Sequence, residues 1–323
     1  MSAMGVLAPP LRLGTRRSAL ALAQSRWVAA ALTARSGRDV TLVELTTRGD
    51  ADPAALDVIG GTGVFVTGIR ERLLAGEVDL AVHSLKDLPT APASDLVLAA
   101  VPVRADPRDA LVASGGRTLA ELPPGARVGT GSPRRAAQLR ALGFGLDVRA
   151  VRGNVDTRLA RVADGTLDGV ILARAGLLRL GRDDEITEIL DPGQLLPAPG
   201  QGALAVECRA ADADLTALLA GLDDPRSRFA VTAERGLLAA LEAGCTAPVG
   251  ALADVADADA DADVADADAP PELYLRAAVV SSDGARTIRL SITGPTADAA
   301  GLGRRLAGDL LDAGAADLIG ESR

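Results

Sequence analysis

The only histidine and the only lysine of this 323-residue chain, His83 and Lys86, lie three residues apart, and Asp87 follows the lysine directly. Lys and Arg total 34, so the other 33 basic residues are arginines. The apolar run from Val78 to Val82 has the length and β-branched content of a buried strand, and Pro89 stops any later helix. His83 to Asp87 are therefore predicted at the carboxyl end of a strand, where open α/β sheets bind ligands.

A simpler interpretation competes with a site at this position. A lone histidine after an apolar strand is most often a core or capping residue, and a Lys-Asp pair in a loop is most often solvated. The single lysine favours a site, because arginine does not replace lysine where a compact, flexible ammonium is needed. A Schiff-base role for Lys86 is a further alternative, although the adjacent carboxylate would hold the amine protonated.

Arginines recur where strands end and helices begin. Helix N-termini carry free N–H groups and the positive end of a dipole, so a Gly/Ser/Thr turn followed by arginine suits an anion. The recurrence predicts a ligand with several carboxylates or phosphates, bound bidentately. The Gly-Gly-Thr-Gly at 60–63 is no P-loop, because the Gly-Lys-Ser/Thr ending is absent. The arginines concerned are Arg16 and Arg17, Arg48, Arg134 and Arg135, and Arg152 and Arg158.

The two cysteines differ in their surroundings. Cys208 lies inside an apolar run, where a cysteine is most often an inert small hydrophobe. Cys245 lies in a loop with glycine before it and proline shortly after it, the kind of position where a thiol can react. The sequence favours Cys245 as the functional thiol.

Composition limits the class of protein. The length predicts two or three domains. Apolar residues make up 48% but aromatic residues only 2%, so the cores must consist of Ala, Val and Leu. A net charge of -9 argues against a general nucleic-acid binder. We see no membrane-spanning run, no signal peptide and no disulfide framework, and expect a soluble cytoplasmic protein.

The first two thirds of the chain alternate between strand and helix patterns. Strands at 11–15, 40–46 and 78–82 enclose helices at 18–35 and 64–75, and strands at 127–129, 146–151 and 169–173 enclose helices at 132–142 and 154–163. Each half predicts a parallel, doubly wound sheet, and together they predict two α/β lobes with a cleft between them. A strand at 203–208 and helices at 213–222 and 226–241 follow.

Beyond residue 247 the pattern changes. Residues 251–270 are almost pure Ala-Asp alternation, which we interpret as a disordered acidic surface loop without an apolar face. A calcium loop is not expected, because the turn glycine and final glutamate of an EF-hand are missing. A hairpin about Asp283-Gly284 and a helix at 297–313 complete a small α+β domain.

These motifs together resemble one enzyme family. In order along the chain they are RLGTRRSALALAQ, TRGD, VDLAVHSLKDLP, DPRDA, GTGSPRRAAQL, RGNVDTRL, PAPGQGALAVECR and EAGCTAPVG. Their order and intervals are similar to those of the porphobilinogen deaminases (hydroxymethylbilane synthases). The likeness spans nearly the whole chain except the Ala-Asp tract.

The resemblance implies a transferase that condenses four porphobilinogen molecules, releasing ammonia, on a covalently bound dipyrromethane cofactor. It also implies two lobes like periplasmic binding proteins, at 10–103 with 203–222 and at 108–197, and a cofactor-carrying domain at 226–323. The cofactor would be joined by a thioether to Cys245, and the catalytic aspartate would be Asp87. Cofactor contacts fall on Ser84, Lys86, Ser132, Arg134, Arg135 and Arg158, and substrate contacts on Arg16, Ser18, Arg152 and Arg158.

Two features depart from the family pattern. Many members carry lysines in the glycine loop before the second helix, where this chain has Val58 and Thr62, and the Ala-Asp tract is an insertion. The resemblance further implies a monomer that hands its product to uroporphyrinogen-III synthase, with no metal, nucleic acid or membrane partner. The alternative function is a non-catalytic two-lobed protein that binds a polycarboxylate, which explains the arginines but not the loop cysteine.

Overall fold

The computed structural model describes residues 9–45, 63–244, 247–256 and 271–320. The described residues fall into two compact units, the first within Met1–Pro102 and Leu204–Asp224 and the second within Val103–Ala203 and Pro225–Arg323. The predicted α/β class is confirmed. Within the described ranges, no helix is both long enough and apolar enough to cross a membrane.

The strands alternate with the helices through the first part of the chain. The strands are β1 (Leu11–Arg16), β2 (Val40–Leu45), β3 (Leu80–Ser84), β4 (Leu96–Ala100), β5 (Asp109–Ala113), β6 (Arg127–Thr130), β7 (Asp147–Ala150), β8 (Gly169–Ala173), β9 (Glu188–Ile189), β10 (Leu204–Arg209), β11 (Val249–Ala256), β12 (Glu272–Val280) and β13 (Thr287–Pro295). The helices are α1 (Ala19–Ser36), α2 (Gly63–Leu74), α3 (Pro133–Ala141), α4 (Val155–Ala163), α5 (Arg174–Arg179), α6 (Ala213–Ala220), α7 (Pro225–Ala240), α8 (Ala299–Asp312) and α9 (Ala315–Gly320).

The first unit contains a five-stranded sheet of order β2-β1-β3-β10-β4. Strand β1 pairs in parallel with β2 and β3, whereas β10 is antiparallel to both β3 and β4. Leu13, Val28 and Leu32 are fully buried where α1 packs on this sheet. Aliphatic side chains supply this core, as the composition requires.

The second unit repeats this arrangement in the order β7-β6-β8-β5-β9. Strand β6 is parallel to β7 and β8, and β5 is antiparallel to β8 and β9. Each sheet is therefore mixed, with one antiparallel strand in fourth position. The three strands predicted for each half are parallel, as expected, and β10 and β5 add the antiparallel direction. The antiparallel direction follows from the connectivity. The chain passes from the first unit to the second shortly before β5 and back to the first just before β10, so neither strand follows a helical crossover within its sheet.

Strand β3 begins later than the sequence pattern predicts. The chain pairs with β1 from Leu80 onward, because the Asp79 carboxylate just before it accepts hydrogen bonds from the backbone and guanidinium of Arg12. The strand also ends later, so that His83 and Ser84 are its last two residues, and the predicted position at the carboxyl end of a strand is confirmed. Strands β4, β5 and β9 and helices α5 and α9 were not predicted.

The third sheet corrects the interpretation of the Ala-Asp tract. Residues 251–256 are not a disordered loop but belong to β11, which pairs with β12 along its whole length. Alternation with a period of two gives a strand one apolar face. Ala251 and Ala253 are buried in the core with α7 and α8, while Asp254 on the other face binds Arg276. The predicted hairpin at Asp283-Gly284 is confirmed by β12 and β13, and residues 257–270 lie outside the described ranges.

Removing residues 259–268 should change the free energy of unfolding by less than about 1 kcal/mol, because closure entropy depends weakly on loop length. The segment connects Ala256 to Glu272, which are paired neighbours. Removing the same number of residues at 251–260 instead takes away buried strand and should abolish cooperative unfolding of the third sheet. Urea denaturation measures both, and equal effects would contradict the boundary at Ala256.

Candidate functional site

A cavity of about 220 Å³ lies in the first unit where parallel strands end. Strand β1 ends at Arg16 and β3 at Ser84, so their side chains reach the carboxyl edge of the sheet. The cavity is lined by Arg16, Ser18, Leu20, Ala21, Gln24, Val66, Ile69, Val82, His83, Ser84 and Asp87. The structure thus brings together five of the residues that the sequence analysis singled out, namely Arg16, Ser18, His83, Ser84 and Asp87.

Local hydrogen bonds fix the polar groups of this cavity. Ser18 is the N-cap of α1, and its Oγ accepts a hydrogen bond from the backbone N–H of Ala21 at 3.3 Å, as predicted. One turn further on, Gln24 is buried and its Nε2 donates to Oγ of Ser84 at 2.9 Å. This bond ties the start of α1 to the end of β3.

Asp87 reaches the cavity from a single 3₁₀ turn, Leu85–Asp87, that follows β3. Leu85 is fully buried and anchors the turn, and the N–H of Leu88 closes it by donating to the carbonyl of Leu85 at 3.0 Å. Lys86 is half-buried on the same turn but is not part of the cavity wall. Among the described residues, no cation lies within ion-pair distance of the Asp87 carboxylate, which is therefore available to a cationic ligand.

His83, also in the cavity wall, contacts a buried carboxylate that sequence reasoning missed. Its Nε2 lies 3.3 Å from Oε2 of Glu207 on β10, at ion-pair distance but off the line of an ideal hydrogen bond. The guanidinium of Arg70 on α2 donates two hydrogen bonds to Glu207, at 2.7 and 3.0 Å. Burial alone would raise the pKa of Glu207, but His83 and Arg70 bring it down to about 2.

The second unit places the paired arginines of GTGSPRR in its interior. Ser132 caps α3, its Oγ accepting from the N–H of Arg135 at 3.4 Å. Arg134 and Arg135 are 3% and 5% exposed, and both donate to the buried carboxylate of Asp109, at 2.8 and 2.7 Å. Burial would raise the pKa of Asp109, but these two guanidiniums hold it well below its usual range. The sequence-predicted ligand arginines are thus engaged with a partner from the same unit.

Arg158 is placed differently from these two arginines. It is half-buried, its Nε donates to the carbonyl of Gly153 at 2.9 Å, and no carboxylate of the described chain lies within ion-pair distance. Its pKa is lowered by burial and by nearby Arg135. Gly131 lets the turn pass beside it, since a Cβ there would lie 2.7 Å from the carbonyl oxygen of Val151 and 3.3 Å from the Arg158 guanidinium. A desolvated cation without a counter-ion suits an anionic ligand.

The remaining predicted residues are Arg152, which is exposed in the turn before α4, and Cys245, which lies outside the described residues, as do Arg48, Val58 and Thr62. The buried partners Glu207 and Asp109 were not predicted. Each stands in a quoted motif, but their cations lie 25 to 137 positions away in sequence. The signal that could have indicated them was a charged residue inside an apolar run, as for Glu207, or at its start, as for Asp109.

Comparison with known proteins identifies close relatives. The family model "Porphobilinogen deaminase, dipyromethane cofactor binding domain" matches residues 11–217, and "Porphobilinogen deaminase, C-terminal domain" matches 228–312. Porphobilinogen deaminase 1 of Streptomyces avermitilis is 58% identical, covering 96% of this chain and 98% of the relative. Porphobilinogen deaminase of Nocardia farcinica is 56% identical, with 97% and 88% covered.

Solved structures with similar folds are more distant. A periplasmic substrate-binding protein of an ABC transporter from Coxiella burnetii is 13% identical with a TM-score of 0.42, covering 68% of this chain and 94% of its own. The methionine-binding protein MetQ is also 13% identical, with a TM-score of 0.40 and 66% and 89% covered. The family assignment therefore depends on the sequence matches.

Replacing Asp109 by alanine should destabilise the protein by about 3–5 kcal/mol, because two buried guanidiniums lose their counter-charge. The matched control is Asp147→Ala, which removes an exposed carboxylate paired with Arg149 and should cost less than about 1 kcal/mol. Chemical denaturation of both variants provides the comparison. Equal stabilities would mean that Arg134 and Arg135 do not depend on Asp109.

Proposed function

This chain belongs to the porphobilinogen deaminase family, and we propose that Asp87 is the carboxylate at its reaction centre. The activity is that of hydroxymethylbilane synthase, a transferase that joins four porphobilinogen molecules head to tail with release of ammonia. The function predicted from the sequence motifs is confirmed, and the alternative of a non-catalytic binding protein is not favoured.

The observation that carries the proposal is the state of Asp87. It lines a cavity that also contains the Arg16 guanidinium and the Ser18 and Ser84 hydroxyls, and no described cation neutralises it. Each substrate ring bears an acetate and a propionate, for which arginine and hydroxyl donors are suited. A volume of about 220 Å³ is smaller than the ~300–1,000 Å³ typical of whole-ligand pockets and suits a single ring.

Asp87 acts on the charge that develops when ammonia leaves. The carbon–nitrogen bond of the substrate breaks with its electron pair remaining on nitrogen, so the ring methylene becomes cationic. A fixed carboxylate beside it stabilises that charge and does not have to reorganise. The same carboxylate can hold or release a proton at the departing amine.

The dipyrromethane cofactor, when bound, supplies the pyrrole carbon on which the chain of rings grows. Its acidic side chains match three donors: the hydroxyl of Ser84 at the end of β3, the hydroxyl of Ser132 at the N-cap of α3, and the guanidinium of Arg158, which has no carboxylate partner among the described residues. We assign Lys86 to a cofactor carboxylate and Arg152, exposed beside α4, to a substrate carboxylate. Cys245 is the proposed attachment point.

For Arg134 and Arg135 the contacts support a second task beside ligand binding. Asp109 holds both guanidiniums, and Arg134 also donates to the carbonyl of Leu196. They anchor the first turn of α3, at whose N-cap Ser132 lies. Carboxylate binding at this turn would then use the Ser132 hydroxyl as well as a guanidinium.

The resemblance also supports three further parts of the proposal, which concern oligomeric state, location and the fate of the product. The protein works as a monomer in the cytoplasm, and it hands its linear tetrapyrrole product to uroporphyrinogen-III synthase. Size-exclusion chromatography with light scattering tests the first of these. Co-purification with the synthase in the presence and absence of product tests the last.

Cys245→Ala should abolish both the mass adduct of the cofactor and activity, whereas Cys208→Ala should keep both. Cys208 is fully buried in β10, and its Sγ lies 3.4 Å from Oγ1 of Thr216. Burial raises the pKa of this thiol, which makes it a poor nucleophile. Intact mass and peptide mapping of the purified protein decide the assignment, and an adduct on Cys208 would reverse it.

Asp87→Asn should lower single-turnover ammonia release on the order of a hundredfold or more, with little change in melting temperature. The amide keeps the shape of the side chain but removes the charge that stabilises the cation. Asp87→Glu should retain some activity, because the charge is present but displaced.

The control for this experiment is Asp95→Asn, which changes an exposed aspartate of the same unit. It should leave both rate and melting temperature unchanged. Turnover of Asp87→Asn within tenfold of the unmodified enzyme would move the catalytic role to another residue.

A further inference from the structure

Three residues in contact, Arg70, Glu207 and His83, connect helix α2 to the Asp87 cavity. His83, with a side chain 5% exposed, forms part of the cavity wall and has Glu207 as its polar side-chain contact. Arg70 holds the other side of Glu207 through both Nε and Nη2. Arg70 itself does not line the cavity. The polar path from Arg70 to the cavity therefore runs through Glu207 and His83, whereas α2 itself contributes the apolar side chains of Val66 and Ile69 to the wall.

The middle residue of the three, Glu207, is an anion. The pKa of Glu207 is about 2, so the carboxylate is ionised throughout the neutral range. An anion facing Nε2 favours a proton on that nitrogen, because the lone pair of a bare nitrogen would face the negative oxygen. In a neutral imidazole the proton is then on Nε2, and Nδ1 is left as an acceptor. A small rotation of the His83 ring would turn the 3.3 Å contact with Glu207 into a hydrogen bond. Contacts of this kind often tighten when an enzyme binds its substrate.

We propose that Arg70 and Glu207 are positioning residues that hold the Nε2–H tautomer of His83, so that Nδ1 accepts a hydrogen bond from substrate in the cavity. This inference rests on the proposed function, because the Asp87 cavity is where the substrate ring binds. Porphobilinogen offers two kinds of N–H donor, the pyrrole N–H and the aminomethyl group. Asp87 and His83 are two acceptors in the same wall that can receive them.

A purely structural role for the three residues predicts different behaviour. In that case Arg70 and His83 only satisfy a buried carboxylate, and their loss lowers stability without a specific effect on turnover. The other charged groups near the ring are Asp87 on the following turn, its neighbour Lys86, and Arg16 at the end of β1. None of these three is altered by a change at Arg70, so the two interpretations can be separated.

Nitrogen-15 NMR of the holoenzyme, prepared without a histidine tag, measures the tautomer directly, because His83 is the only imidazole in the chain. We expect the neutral ring to carry its proton on Nε2. Arg70→Met and Glu207→Gln should produce a mixture of tautomers. The matched control is Arg72→Met, on the same helix as Arg70. It breaks an exposed ion pair between Arg72 and Glu77 and should leave the spectrum unchanged. A proton on Nδ1 in the unmodified enzyme would overturn the proposal.

A double-mutant cycle tests the link to turnover. His83→Gln and Arg70→Met should each slow single-turnover ammonia release about tenfold or more, with a smaller change in KM. The double variant should be no slower than His83→Gln alone, since Arg70 acts through His83. Arg70→Lys keeps the charge but not the two-point contact, so it should recover part of the rate, and it replaces Arg70→Met if that variant does not fold.

The opposite results are equally informative. If Arg70 variants lower only the melting temperature, or if the two rate effects multiply in the double variant, Arg70 does not act through His83 and the inference is wrong. Failure of the proposed function has a different signature, namely unchanged turnover in Asp87→Asn. The tautomer measurement then still decides whether Arg70 and Glu207 position the ring.

Discussion

A buried carboxylate on the antiparallel strand of each five-stranded sheet is the constraint on which both units depend. Glu207 stands on β10 and Asp109 on β5, each in the fourth position of its sheet and each at most 3% exposed. Removing such a charge from water is costly, and only close cations with good geometry offset that cost. Glu207 has Arg70 and His83, and Asp109 has Arg134 and Arg135. The carboxylates therefore determine where the basic side chains of each unit lie.

The same constraint divides the arginines into two groups. A guanidinium whose donors are used inside the fold has little left for a ligand, whereas one that is desolvated without a counter-ion gains most by binding an anion. Arg135 is of the first kind, with Asp109 and the Ile171 carbonyl as partners, and Arg158 is of the second. Arginines of one motif can thus also have a structural task, as the contacts of Arg134 and Arg135 with Asp109 show.

Local signals account for what the sequence predicted well. Ser18, Ser132 and Asn154 are N-caps, and each helix begins directly after its cap because the side-chain oxygen satisfies a free N–H of the first turn. The starts of these three helices could therefore be predicted from the sequence. The antiparallel positions of β5 and β10 could not be predicted in this way, since they depend on pairing with strands about 60 to 125 residues distant. Glu207 and Asp109 were missed for the same reason, because their partners are not sequence neighbours.

The partners of three carboxylates, Glu207, Asp109 and Asp87, support the proposal that Asp87 is the one that acts on the substrate. Glu207 and Asp109 each face two basic groups, so a substrate cation would find their charge already neutralised. Asp87 stands on a short turn whose only fully buried residue is Leu85, and no described cation pairs with it. A carboxylate stabilises a developing positive charge most when its own charge is not already satisfied and its position is fixed in advance. The turn provides the fixed position, and within the first unit Glu207 holds Arg70 and His83, so these two basic groups pair with Glu207 rather than with Asp87.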